Sequence, residues 1–123
     1  MKVILAGAGA FGLKHLDGIK NIPGVEVVSL VGRTPDSTRE AAEKHGIGHW
    51  TTDLGEALAQ PGVDAAILAT PTQLHVEQTI QCMRAGKHVQ CEIPAADSWA
   101  GAQEVLKVQQ ETGLVCMTGH TRR

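Results

Sequence analysis

Near the start of the chain, Gly7-Ala8-Gly9-Ala10-Phe11-Gly12 has the spacing Gly-x-Gly-x-x-Gly. Where such glycines join a strand to a helix, the first permits a tight turn and the second lets a pyrophosphate approach the backbone. The third lets the helix pack close to the strand. The helix N-terminus then faces the phosphates with its unpaired amides. The pattern is weak evidence alone, but its context here is specific. The apolar run Lys2 to Ala6 precedes it, a helical stripe of Leu13, Leu16 and Ile19 follows, and a second β-branched run comes after that. No Gly-Lys-Ser/Thr follows, which excludes a P-loop. Gly7, Gly9, Ala10, Phe11 and Gly12 are therefore expected to cradle a dinucleotide.

About 20 residues beyond such glycines, a domain selective for NAD usually carries Asp or Glu to hold both ribose hydroxyls. Here that place reads Gly32-Arg33-Thr34. A carboxylate would repel a 2′-phosphate, whereas Arg33 can donate charge-assisted hydrogen bonds to it and Thr34 and Ser37 can add donors. The expected cofactor is NADP, with NAD use still open. Arg33 could equally stack on adenine as a solvated residue.

A third group is Ala69-Thr70-Pro71-Thr72-Gln73-Leu74-His75. Thr70 could reach the cofactor, Pro71 rigidifies the turn, and Gln73 and His75 could bond ribose or phosphate. His75 is as readily a helix-entry residue bonding backbone. In Gln90-Cys91-Glu92-Ile93-Pro94, Pro94 restrains the residue before it and Glu92 is aimed toward the same crevice. At the end of the chain His120 could take a proton or bind a carboxylate, and Arg122 or Arg123 suits bidentate carboxylate recognition. The catalytic base is not identified, Glu92 and His120 being its candidates.

These groups need a scaffold, and the hydrophobic pattern supplies one. Lys2 to Ala6, Val25 to Val31, His49 to Thr51, Val63 to Ala69, Lys87 to Cys91 and Leu114 to Met117 read as strands. Val76, Ile80 and Met83 form one helical stripe, and Trp99, Ala102 and Leu106 another. Thr34-Pro35 suits a helix start, and Gly46, Gly86 and Gly113 suit left-handed caps. Nearly all-apolar strands alternating with helices predict a doubly wound α/β fold of the Rossmann type, with a parallel sheet in the order 3-2-1-4-5-6. Ligands bind such a sheet at the C-terminal ends of its strands, beside the point where strand order reverses.

With 123 residues, 42% hydrophobic and 20% charged, the chain is the size of one domain with one core. The run after Met1 is interrupted by Gly7 too early for a signal peptide, and no apolar run approaches a membrane span. A net charge of -2 and only three aromatic residues, Phe11, Trp50 and Trp99, argue against nucleic acid as a partner. Cys82, Cys91 and Cys116 are odd in number and unpaired in spacing, which points to a reducing cytoplasm. No His or Cys spacing suits a metal. After strand six, expected to finish near Met117, the chain leads outward without a closing element, so residues 1–123 read as a dinucleotide-binding domain cut before a C-terminal domain.

The opening glycine motif, the Ala-Thr-Pro-x-x-x-His turn and the Glu-x-Pro after strand five together resemble the Gfo/Idh/MocA oxidoreductase family, and the resemblance covers the whole chain. It implies an NAD(P)-dependent dehydrogenase whose following α/β domain supplies most of the substrate pocket, so that this chain alone is inactive. The family triplet is usually Glu-Lys-Pro. Ile93 stands at its centre here, so a lysine proton-transfer role does not carry over. Lys14 to Gly18, Ala96 to Trp99 and Thr112 to Arg123 resemble one branch of the family more narrowly. That branch implies a small-molecule dicarboxylate semialdehyde substrate in aromatic degradation, oxidised with NADP to a lactone by a homo-oligomer. A non-catalytic NADP-responsive regulator and a dehydrogenase for a sugar or polyol stay open as alternatives. A methyltransferase would want an acidic residue where Gly32-Arg33 stands.

Overall fold

The computed structural model describes residues 1–7, 18, 22–70, 72–92 and 99–119. Its strands are β1 (Lys2–Ala6), β2 (Glu26–Val31), β3 (Trp50–Thr51), β4 (Val63–Leu68), β5 (His88–Glu92) and β6 (Cys116–Gly119). Its helices are α1 (Pro35–Lys44), α2 (Leu54–Leu58), α3 (Thr72–Arg84) and α4 (Trp99–Thr112). The strands form one sheet in the order β3-β2-β1-β4-β5-β6, and all five pairings are parallel. The expected strand order is therefore the observed one. The stripe of Leu13, Leu16 and Ile19 lies outside the described residues.

The apolar residues divide between the two faces of the sheet. Ile4, Ala6, Ala66, Leu68, Val89 and Cys91 join one cluster, with Leu54, Leu58, Cys82, Met83 and Val108 from the helices. Val3, Leu5, Leu30 and Ile67 join the other, with Ala42 and Ile47. Central strands buried on both sides have no use for alternation, which is why they read as continuous apolar runs. Ser29 is the exception in β2: it is fully buried, and its Oγ lies 2.7 Å from His49 Nδ1. That contact satisfies a hydroxyl that would otherwise be orphaned.

Helix punctuation follows the sequence. Thr34 is the N-cap of α1 in an extended conformation, with Pro35 at the first helical position. Its side chain caps no amide and instead pairs with the Ser37 hydroxyl. Gly46, Gly86 and Gly113 take positive φ of 70°, 81° and 68° just beyond α1, α3 and α4. Unforeseen was the short α2, whose start is capped by Asp53 Oδ1 accepting from the Gly55 amide at 3.1 Å.

Two expectations need correction. Strand six runs through Gly119 rather than ending near Met117, because Thr118 and Gly119 pair with Cys91 and Glu92. A backbone ladder needs no apolar side chain, so the polar residues gave no sign of it. The stripe of Trp99, Ala102 and Leu106 does not face the core. Trp99 is 78% and Leu106 55% exposed, while Val108 is buried and Val105 packs beside it. Helix α4 carries two apolar stripes, and the one nearer its C-terminus, against α3, joins the cluster that holds Val89 and Cys91. Smaller shifts follow the same logic. Lys87 precedes β5, and its Nζ donates to the Val63 carbonyl at 2.7 Å.

Candidate functional site

Register gathers the candidate residues at one edge of the sheet. Ala6 is level with Val31 on one side and Leu68 on the other, and Leu68 is level with Cys91. Gly7, Gly32 and Ala69, which follow β1, β2 and β4, and Glu92, the last residue of β5, therefore emerge together at the C-terminal edge. The chain leaves β1 for β2 on one side and reaches β4 on the other, so strand order reverses at Gly7. That reversal opens the crevice in which ligands of such sheets bind.

Gly7 is constrained twice. Its φ is 109°, and a Cβ there would lie 2.5 Å from the Ala69 carbonyl oxygen and 2.7 Å from its carbon. Its amide donates to the Val31 carbonyl at 2.8 Å, and the Ala69 amide donates to the Ala6 carbonyl at 2.8 Å. The first glycine thus lets three strand ends close on one another as well as permitting the turn. Gly9, Ala10, Phe11 and Gly12 lie outside the described residues, as does Pro71.

Past β2, Arg33, Thr34 and Ser37 are all exposed, and Thr38 beneath them is fully buried. Thr38 Oγ1 donates to the Thr34 carbonyl at 2.6 Å, and the Thr38 amide donates to the same oxygen at 3.1 Å. The loop that presents Arg33 is tied from below by one threonine. Arg39 lies 4.0 Å from the Asp36 carboxylate, both side chains being solvated, so this pair adds little stability.

At the β4-α3 turn, the Thr70 hydroxyl donates to Gln78 Oε1 at 2.5 Å, which leaves its lone pairs as its means of binding a ligand. His75 is 1% exposed, with Nε2 2.6 Å from the Thr70 carbonyl oxygen. Nε2 therefore carries the proton and donates it, and the ring braces the turn from within. Of the two roles weighed for His75, this contact is the helix-entry one. Gln73 lies in the first turn of α3. Glu92 closes β5 opposite Gly119, the last residue of β6. His120, Arg122 and Arg123 themselves lie outside the described residues.

Sequence reading missed Thr38, Gln78 and the Ala69 carbonyl. Only the first left a trace: a threonine four residues after an N-cap can return its hydroxyl to that residue's carbonyl. None of the three cysteines forms a disulfide. Burial pushes the Cys82 thiol up to about 12, with Cys91 and Cys116 adding to the shift, and burial raises Cys116 also. Such thiols are neutral and poor nucleophiles. Among the described residues there is no group of three or more metal-ligating side chains and no helix long and apolar enough to cross a membrane.

A glycine pinched between the strand ends at the reversal point, with exposed cationic and hydroxyl side chains beyond the neighbouring strand, fits a dinucleotide. It defines the class as a Rossmann dinucleotide-binding domain. Residues 1–120 match the Gfo/Idh/MocA group, described as an oxidoreductase family with an NAD-binding Rossmann fold, and the chain belongs to that family. It is 65% identical over 123 residues to 4-carboxy-2-hydroxymuconate-6-semialdehyde dehydrogenase of Sphingobium sp. (strain NBRC 103272 / SYK-6), covering 100% of this chain and 39% of that protein. It is 36% identical over 119 residues to 1,5-anhydro-D-fructose reductase of Ensifer adhaerens, covering 97% of this chain and 36% of the relative. The crystal structure of myo-inositol 2-dehydrogenase from Lactobacillus plantarum superposes with a TM-score of 0.90 at 25% identity, over 97% of this chain and 36% of that one. The chain spans well under half the length of each of these proteins.

Proposed function

We propose that residues 1–123 are the NADP-binding domain of a dehydrogenase acting on 4-carboxy-2-hydroxymuconate-6-semialdehyde in the degradation of aromatic compounds by protocatechuate 4,5-cleavage. The observation that carries this reading is the 65% identity, over every residue of the chain, to the Sphingobium dehydrogenase of that name. The NADP, when bound, supplies the hydride acceptor that converts the substrate's cyclic hemiacetal to the lactone 2-pyrone-4,6-dicarboxylate.

The chain's own residues then have distinct tasks. Gly7, Gly9 and Gly12 are the candidates to let backbone come close to the pyrophosphate, with Ala10 and Phe11 as further cofactor-binding candidates. Arg33, Thr34 and Ser37 hold the 2′-phosphate by charge and hydrogen bonding. Thr70 and Gln73 are the candidates to bond the cofactor after β4, Pro71 to rigidify that turn, and His75 keeps the turn in shape. Glu92 and His120 are the candidates to take the hemiacetal proton, and Arg122 and Arg123 to hold substrate carboxylates.

A further α/β domain, accounting for the additional length of the relatives, completes the substrate pocket and excludes water from it. The assembly is a cytoplasmic homo-oligomer, which sedimentation of the whole protein tests. Turnover is tested by following NADPH formation from the semialdehyde. Steady NADPH production by the whole protein, and binding without turnover by residues 1–123, are expected. Oxidation of sugars or polyols in preference to the semialdehyde would replace the substrate. Turnover by residues 1–123 alone at the rate of the whole protein would place the full pocket within them.

A further inference from the structure

The absence of a carboxylate after β2 leaves open whether position 32 could hold one. Gly32 has no positive φ to explain it. What surrounds it does: a Cβ at Gly32 would run into Thr38 Oγ1, and would lie 2.9 Å from Thr38 Cβ and 3.0 Å from its Cγ2. Real Cβ atoms do not approach other atoms so closely, and Thr38 has little freedom to yield. It is fully buried in the first turn of α1, and its hydroxyl is held by the Thr34 carbonyl at 2.6 Å. The position is pinned from the other side as well, since the Gly32 amide donates to the Thr51 carbonyl at 3.1 Å.

We propose that Thr38 is a specificity-determining positioning residue: by filling the space above residue 32 it keeps that position a glycine and so keeps a carboxylate out of the cofactor's ribose site. Thr38 touches no cofactor. It acts through Gly32, where an acidic side chain would bind ribose hydroxyls and repel a 2′-phosphate, and through the Thr34 carbonyl, which ties down the loop carrying Arg33. The selectivity part of this proposal rests on the dinucleotide reading given above. The steric part does not.

Two measurements on the 123-residue chain separate these parts. The first is thermal unfolding without cofactor. Gly32→Asp is expected to lower Tm by roughly 5 °C or more with Thr38 in place, and by much less when introduced into Thr38→Ala or Thr38→Gly. Should Gly32→Asp not fold, Gly32→Ala carries the same comparison without the charge. The second is calorimetric titration with NADP and NAD. The double variant Gly32→Asp/Thr38→Gly is expected to shift the affinity ratio toward NAD by roughly tenfold or more, and Gly32→Asp alone by far less. A Tm unchanged by Gly32→Asp, or lowered equally whether Thr38 is present or not, would overturn the lock. An equal shift in cofactor preference in the single and double variants would overturn the role of Thr38 in selectivity. A wild-type chain that binds neither cofactor would overturn the dinucleotide reading and the selectivity claim with it, while the Tm comparison would still decide the lock.

Discussion

The two flanks of the sheet are built on different terms. Around the reversal point there is no room for a methyl group on Gly7, where it would meet the Ala69 backbone, or on Gly32, where it would meet the Thr38 side chain. On the β5-β6 flank, α4 turns Trp99 and Leu106 to solvent, and Val115 just before β6 is 53% exposed. The tight flank carries the backbone proposed to bind the cofactor, where an error of an ångström would matter to the proposed hydride transfer. The outer flank leaves one stripe of its helix to solvent, where change should be tolerated.

Substitutions should expose that contrast. The largest effect is expected from Gly7→Val, because its Cβ meets the Ala69 backbone rather than a side chain that can move aside, and φ is 109°. A loss of about 4 kcal/mol or more should appear in denaturant unfolding. Gly113→Ala, also at positive φ but with open space around it, should cost about 1–2 kcal/mol. Equal losses at the two glycines would erase the steric distinction between the flanks.

Next comes Arg33→Ala, expected to weaken NADP binding by roughly 1.5–3 kcal/mol while leaving NAD binding and Tm nearly unchanged. Calorimetry reads the first and circular dichroism the second. An undiminished preference for NADP would remove the proposed phosphate contact.

On the outer flank, Val108→Ala removes two buried methyl groups and should cost about 1.5 kcal/mol. Leu106→Ala, two residues earlier on the same helix, should stay within about 0.5 kcal/mol. Reversal of that order would mean that the exposed stripe, not the buried one, holds α4.

The smallest effect is confined to alkali. Burial raises the Cys82 thiol from near 9 to about 12, so the folded state favours its neutral form. The stability this carries is complete below about pH 9 and is lost as pH rises toward 12. Wild type should therefore lose more stability than Cys82→Ala between those values, each measured against its own stability near neutrality. Parallel pH profiles would show that Cys82 does not couple to folding.

Much of this was legible in the residues. Continuous apolar runs separated by helical stripes dictate a parallel sheet, and glycines at 46, 86 and 113 mark helix ends because only glycine takes positive φ without strain. The strand order followed from right-handed crossovers, and the site's edge followed from the glycine turn and the β4-α3 turn. These are local rules, written in residues close together in sequence. The choice between two apolar stripes on α4 was not local, since periodicity is satisfied by either and only contact with α3 and membership of the core cluster select one. Nor was the end of β6, where backbone pairing with Cys91 and Glu92 holds polar residues in the sheet. The reasons for Gly7 and Gly32 lay furthest from the sequence. Each stands opposite a group brought to it by folding, the Ala69 carbonyl and the Thr38 side chain, and a missing Cβ in the sequence does not say what would have filled its space.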